Sequence, residues 1–533
     1  MTPSTKGASL QFRFQVYGIA VAGLGMGFLV SAAMSRTGGP FVYTLDDPYI
    51  HLAVAETILG GGYGVNAGEF ASPSSSVLYP FLLAFLLALG VGTWAPLVIG
   101  VPAMLASVWL LCALIWRFGV REDDATSRRF AVIVLPIVLL AFNAYALPLT
   151  GMEHALHVLA VLMTVTGLAR LSEGQGGAAL LAMGVVLGPL LRFEGAALGL
   201  AGLVALLWYG RFTAAAGAVA LLSIVFGTYI AAMSAMGLPI LPSSVLVKSS
   251  LSASLTDDGL GATLRGVVVQ VFAAFGNTRG LLLAQAGFVL ALAASELVRP
   301  AQRRPILVAV ALFGIVAHLA AGRYGWFSRY EIYAVALAIA ALVVAWGPAL
   351  RDRALPRPLV RAGMVLLLLV TAHPYAETTM RTPAASENIA HQQGLMHVFA
   401  TERFAHPVAV NDLGFVAFGN PSHVLDLWGL GSEEARRARA APGFGADDLR
   451  RLTRGREVVY AMIYDAWFRG AIPPEWCRIA TLTTPRVTAA QAQVAFYLIQ
   501  PEREAEMRAA LAAFAKDVPE RVDLAILRCA DDA

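Results

Sequence analysis

The chain has 533 residues, 58% of them hydrophobic and 14% charged, with a mean hydropathy of +0.67. Soluble domains carry about 25% charged residues, so a globular cytosolic protein is excluded and a polytopic membrane protein is indicated. The net charge of +4 forms no basic stripe, since Lys and Arg collect in short connections, and no nucleic-acid partner is expected.

The first apolar run, Val16 to Met34, is longer than the 7–15 residues of a signal-peptide core. It reads as a retained signal anchor, with cleavage near "SAAMS" as the alternative. About 20 residues at 1.5 Å each cross the hydrocarbon layer. On that measure spans are predicted near 15–35, 96–116, 130–149, 153–170, 177–191, 195–209, 213–236, 280–297, 305–321, 330–347 and 358–373. The expected architecture is a membrane all-α bundle of about 11 transmembrane helices. Basic residues alternate as the positive-inside rule requires if the N-terminus, with Lys6 and Arg13, is cytoplasmic. Inward connections then hold Arg117, Arg121, Arg128, Arg129, Arg170, Arg211, Arg299, Arg303, Arg304, Arg351, Arg353, Arg357 and Arg361. The alternation survives only if "VLYPFLLAFLLALGVG", 77–92, lies at the outer interface without crossing. Domains are expected at 1–373, a transmembrane module with a first outer loop at 37–95, and at 374–533. "VVYAMI" and "VAFYLI" read as strands there and "EREAEMRAALAAFAKDV" as a helix, giving an extracytoplasmic α/β domain. Cys112 reads as an inert core residue, and Cys477 and Cys529 as either free or paired.

This topology gathers the polar residues of the outer loops on one face, where polar groups near lipid usually have a task. They are Asp46, Asp47 and His51 in "LDDPYIH", Glu153 and His154 in "TGMEHAL", Arg192 and Glu194 in "LRFEGA", Lys248 in "LPSSVLVKSS", and Arg323 and Arg329 in "GRYGWFSRY". Each has a plain local reading. Asp47 before Pro48 has the look of a helix cap followed by proline at the first helical position. Glu153 and His154 open a helix, where an acid suits the macrodipole. Arg192 and Glu194 can pair with each other, Arg323 can snorkel, and Lys248 can be a solvated loop charge. Asp412 and Asp426 read as turn and strand-end residues, and Trp428 and Trp467 as core residues or as sugar-stacking rings. The glycines of "GGGYG" end a helix and permit positive φ. No Gly-Lys-Ser/Thr follows them, so no Walker loop is read.

"DDPYIHLAVAETILGGGYGVNAGE", "TGMEHAL", "RFEG", "LPSSVLVK" and "NDLGFVAFGNPSHVLDLWGL" together resemble the GT-C membrane glycosyltransferases, nearest in look to bacterial arabinofuranosyltransferase-like enzymes. Phe193 and Ser243 depart from the Pro and Asn of that pattern, which leaves the donor sugar and acceptor open. The resemblance implies a bacterial inner-membrane enzyme with its site outside. It would move a sugar, a pentofuranose among the candidates, with inversion from a polyprenyl-phosphate donor to a hydroxyl on a cell-envelope glycan, a lipid or a protein.

The residue types suit that reaction. A carboxylate must take the proton of a poorly nucleophilic hydroxyl, and cations must stabilise the departing phosphate. Asp46 is read as the base with Asp47 beside it. Arg329, Lys248, Arg323 and Arg192 are read as donor-phosphate ligands, and Glu194, Glu153, His154 and His51 as substrate-binding groups. Asp46, Asp47, His51 and Glu153 also offer ligands to a divalent metal; no obligatory metal or other cofactor is expected. The competing classes are a transporter or lipid flippase, and an anchored structural or sensor protein.

Overall fold

The computed structural model describes residues 5–248, 259–294, 304–351 and 357–529. Arg299, Arg303 and Arg353 lie outside the described residues. The chain forms two compact units, one of Met1–Val30, Pro96–Thr228 and Ser250–Met380, the other of Ser31–Ala95, Tyr229–Ser249 and Arg381–Ala533. The first loop therefore groups with the C-terminal tail, a division different from the expected 1–373 and 374–533.

The first unit is helical. Its described helices include most of α1 (Thr5–Thr37), α4 (Ala95–Leu114), α5 (Ala125–Ala141), α6 (His154–Ser172), α7 (Ala178–Leu191), α8 (Gly195–Trp208) and much of α9 (Phe212–Ala235). It continues with helices Gly259–Phe275, Thr278–Ala294, Pro305–Ala321 and Ile332–Arg351, and with the first part of Arg357–Ile389. Among the described residues, the segments long and apolar enough to cross a membrane are Ser9–Thr37, Gly92–Gly119, His154–Ser172, Phe212–Ala235 and Ile332–Ala349. A sixth arises if Arg265–Phe275 and Thr278–Ala293, bent by 95°, count as one. These segments fit a membrane protein, and the expected count of 11 is not shown by the described residues. Helices α7 and α8 have 14 residues each, about 21 Å against a layer of about 30 Å. Helix α5 has 17 residues and begins with Arg128 and Arg129 in its first turns.

Glycines let three of these helices touch. A side chain at Gly184 of α7 would lie 2.6 Å from the Ala160 carbonyl of α6, and one at Gly195 of α8 would lie 2.5 Å from the Gly188 carbonyl of α7. Small residues at such crossings give backbone contact and dispersion gain. The turn between α7 and α8, Arg192–Glu194, is correspondingly tight.

The second unit holds α2 (Asp47–Leu59), α3 (Tyr79–Ala88), α10 (Ser243–Lys248) and a six-stranded mixed sheet. Helix α3 has 10 residues, too few to cross a bilayer. The sheet runs β2 (Val424–Asp426), β1 (Val408–Val410), β3 (Tyr460–Ile463), β5 (Gln493–Leu498), β4 (Cys477–Thr483), β6 (Asp523–Ile526). β1 pairs parallel with β2 and β3, and the remaining pairs are antiparallel. β3 and β5 coincide with the two runs read as strands, and helix Glu504–Phe514 with the predicted one. Leu425, Leu449, Leu452, Ile463, Phe468 and Trp476 form part of the core of this domain. Cys477 and Cys529 are disulfide-bonded, with Cα atoms 5.1 Å apart.

Candidate functional site

In the second unit, the chain enters α2 through Asp46 and Asp47. Asp46, not Asp47, occupies the capping position, and its side chain caps nothing. Its backbone is already helical (φ −77°, ψ −32°), and its carboxylate is turned to other donors. The Gly414 N–H reaches Oδ2 at 2.7 Å and the Phe415 N–H reaches Oδ1 at 2.8 Å. The Tyr49 ring stacks on Phe415 at 4.0 Å, with the planes 5° apart. The capping reading of Asp47 is therefore corrected: Asp47 is the first helical residue, half-buried, with Pro48 behind it.

Asp412, two residues before Gly414, lies near enough for its charge to act on Asp46. Its Oδ2 accepts from Gln393 Nε2 at 2.7 Å and from the Tyr464 hydroxyl at 2.9 Å. Gln393 lies in a π-helical turn, Ala390–Gly394, a feature common at functional sites. That helix is fixed to the sheet on both sides of the turn: Asn388 Oδ1 accepts the N–H groups of Val487, Thr488 and Ala489, and Gln392 donates to Thr484. Tyr464 follows β3, its N–H held by Asn411 Oδ1 at 2.7 Å.

Electrostatics follow from this packing. Burial, then the charge of Asp412, push Asp46 well above the usual carboxylate range, against the pull of the Phe415 and Gly414 N–H groups. Burial also raises Asp412, while Gln393 and Tyr464 pull it down. Because the charge of Asp412 acts on Asp46, the two carboxyls titrate as a pair. Asp47 adds negative charge to both. His51, assigned to substrate, is 3% exposed and bonded through Nδ1 to Ser74 Oγ at 3.2 Å. Lys248 ends α10; its side chain lies outside the described residues.

The loop carries a second attachment. Asn66 Nδ2 donates to the Val424 carbonyl at 2.9 Å, and Asn66 Oδ1 accepts the Val424 N–H at 2.9 Å. One side-chain amide thus stands where a neighbouring strand would pair with edge strand β2. Glu69 accepts from His423 at 2.8 Å and from Arg456 at 3.1 Å. Burial raises the Glu69 carboxyl, but His423, Arg456 and Asn66 together hold it below its ordinary range.

Residues 387–497 match a family described as a domain of unknown function, DUF8728. No curated protein matches the chain. The matched segment contains Asp412, Gln393 and Tyr464 but ends short of the disulfide partner Cys529.

The other predicted residues meet in the first unit. Glu153 does not cap α6; its Oε1 pairs with Arg192 Nη1 at 2.8 Å, because that buried guanidinium outcompetes the helix end. Arg192 also grips Glu194 through Nη2 at 2.8 Å and Nε at 3.2 Å. The guanidinium carbons of Arg192, Arg323 and Arg329 lie 5.8, 5.5 and 5.0 Å from the centre of the Tyr330 ring, and the His154 ring lies 6.1 Å from it. Arg323 is exposed, whereas Arg329 is 2% exposed. The segment before Arg329 is a left-handed turn, with φ of +79°, +47°, +61° and +56° at Gly325, Trp326, Phe327 and Ser328. Each non-glycine residue there costs about 1–2 kcal/mol. Glu331 holds the turn by accepting the Gly325 N–H at 2.8 Å and pairing with Arg279 at 3.0 Å.

Sequence reasoning missed Gln393, Tyr464 and Asn411, and gave Asn66 and Glu69 no role. Only the short "N-x-G-E" spacing signalled the last two. Among the described residues no three His, Cys, Asp or Glu side chains form a metal-holding group.

Proposed function

We propose that the protein is a GT-C-type glycosyltransferase that takes a sugar from a polyprenyl-phosphate donor at the outer face of a bacterial inner membrane. The observation that carries this reading is the Asp46–Asp412 pair, the first buried and the second half-buried, assembled from the first loop and the tail. An acid pair holding one proton contains an ionised member able to accept another, which is what activation of a hydroxyl requires. Three guanidiniums around Tyr330 support recognition of an anionic headgroup by charge-assisted bonds. Several apolar helices of spanning length suit a donor that lives in the bilayer. The acceptor is a glycan, lipid or protein hydroxyl, and the N-terminus is cytoplasmic in this reading.

The test uses the purified full chain in lipid nanodiscs, with a panel of polyprenyl-phosphate sugars, pentofuranosyl donors included. Wild-type protein is expected to release polyprenyl phosphate from at least one donor, and the folded double variant Asp46→Asn/Asp412→Asn from none. Folded wild-type protein inert toward the whole panel sinks the proposal. One observation favours a second reading, a transporter: the 95° break between Phe275 and Thr278, next to the Arg279–Glu331 pair. Broken helices with charges at the break mark transport sites. Donor uptake into sealed vesicles without release of polyprenyl phosphate would support it.

A further inference from the structure

We infer that Asp412, and not Asp46, is the group that removes the acceptor proton, with Asp46, Tyr464 and Gln393 as its positioning residues. This assignment rests on the transferase reading above. Asp46 has little room for a substrate. Both its oxygens accept backbone N–H groups, at 2.7 and 2.8 Å, and it is 7% exposed. The Gly414 backbone packs so closely that even a methyl group there would lie 2.6 Å from Asp46 Oδ2. An incoming hydroxyl finds no approach to such a carboxylate.

Asp412 is the opposite case. It is half-buried and keeps a solvent-facing share of its surface. One oxygen, Oδ2, is held by Gln393 and Tyr464. The single Tyr464 hydroxyl proton is shared between Asp412 Oδ2 at 2.9 Å and Gln392 Oε1 at 2.7 Å, and the two acceptors fix the ring. Donors aimed at a carboxylate favour its ionised form, and burial together with Asp412 keeps the Tyr464 phenol protonated. Asp46 is the more enclosed of the two, at 7% exposed against the half-buried Asp412, and burial disfavours the charged form. The proton of the pair therefore sits on Asp46, and Asp412 carries the charge. Other titratable groups near the pair are Asp47 and Tyr49 on α2 and Tyr464 after β3, while His397 stacks on Phe415 at 5.3 Å.

The step is a displacement. The acceptor oxygen bonds to the anomeric carbon as its proton passes to Asp412. The bond from that carbon to the phosphate oxygen breaks, and its electron pair leaves with polyprenyl phosphate. Asp412 then returns the proton to water.

Substitution by Asn separates the two carboxyls. At position 46 an amide is uncharged and keeps one accepting oxygen, so one of the Gly414 and Phe415 N–H groups loses its partner. Asp46→Asn is expected to lower the transfer rate about tenfold, and Asp412→Asn by 10²–10⁴, the usual range for a lost general base. Tyr464→Phe is expected to move the acid limb of the pH–rate profile up by about one unit, because the carboxylate loses a donor, with the high-pH plateau kept. Asp46→Asn losing as much as Asp412→Asn, or an acid limb unmoved in Tyr464→Phe, overturns the assignment. The proton is also read without activity, by infrared titration of carboxyl stretching in the full chain. Wild type minus Asp46→Asn is expected to show one protonated carboxyl at neutral pH. Its absence overturns the proton placement even if sugar is transferred, and its presence in a protein inert to every donor overturns only the transferase reading.

Discussion

At Gly414 the hydrogen atom is the largest side chain that fits, since a Cβ would collide with the Asp46 carbonyl as well as crowd its carboxylate. Gly414→Ala is expected to destabilise the second unit by about 1–3 kcal/mol and to depress transfer. Gly455→Ala, where a Cβ meets nothing within 4 Å, should leave both unchanged; thermal unfolding and donor turnover are the measurements. Asp426 gives a pH signature. It is fully buried and accepts the N–H groups of Trp428, Leu430 and Gly431. Burial outweighs these bonds and lifts its carboxyl from 3.8 to about 6. The folded value is above the unfolded one, so its contribution is complete below about pH 4 and lost as pH rises through about 6. That contribution is on the order of 3 kcal/mol. Unfolding followed by the fluorescence of Trp428 and Trp467, whose rings lie 4.3 Å apart, is expected to show this slope in wild type. Asp426→Asn should flatten it by about one proton.

At the scale of elements, the first loop behaves as part of the tail's sheet. The Asn66 amide covers the outer edge of β2 at Val424, and an uncovered edge strand is a template for unwanted pairing. Asn66→Ala leaves a buried N–H and C=O without their partner, a cost of about 2 kcal/mol. Hydrogen exchange at Val424–Asp426 should accelerate about 30-fold, while β4 and β5, across the sheet, stay protected. The sequence made many of these elements legible. Short continuous apolar runs marked β3 and β5, and Pro48 after two acids marked the start of α2. It concealed how α2 is held, because the donors to Asp46 are backbone N–H groups with no residue signature. It likewise suggested a cap at Glu153, where a local helix end competed with Arg192, 39 residues away. Hydropathy windows found where helices lie but did not measure them, since α7 and α8 are apolar yet have 14 residues each.

For the whole molecule, apolar helices of spanning length make extraction depend on detergent, and the proposed sidedness gives a clear labelling outcome. With Cys112 replaced by Ala and a single cysteine introduced at Arg437, an exposed position in the tail, a membrane-impermeant thiol reagent should label intact cells; labelling only after lysis would reverse the topology. Many of the candidate residues were visible in the sequence as charges in or beside the loops. Their partition was not, because Asp46 and Gly414 are 368 positions apart and no local pattern encodes such a meeting. This separation has a consequence during synthesis. The ribosome finishes α2 and its two acids long before Asp412 exists, so the nascent loop must wait, its carboxyls hydrated and its Asn66 clasp empty, until the final quarter of the message has been translated. A transcript truncated just before codon 412 would encode the described apolar helices of spanning length, and Asp46 without Asp412.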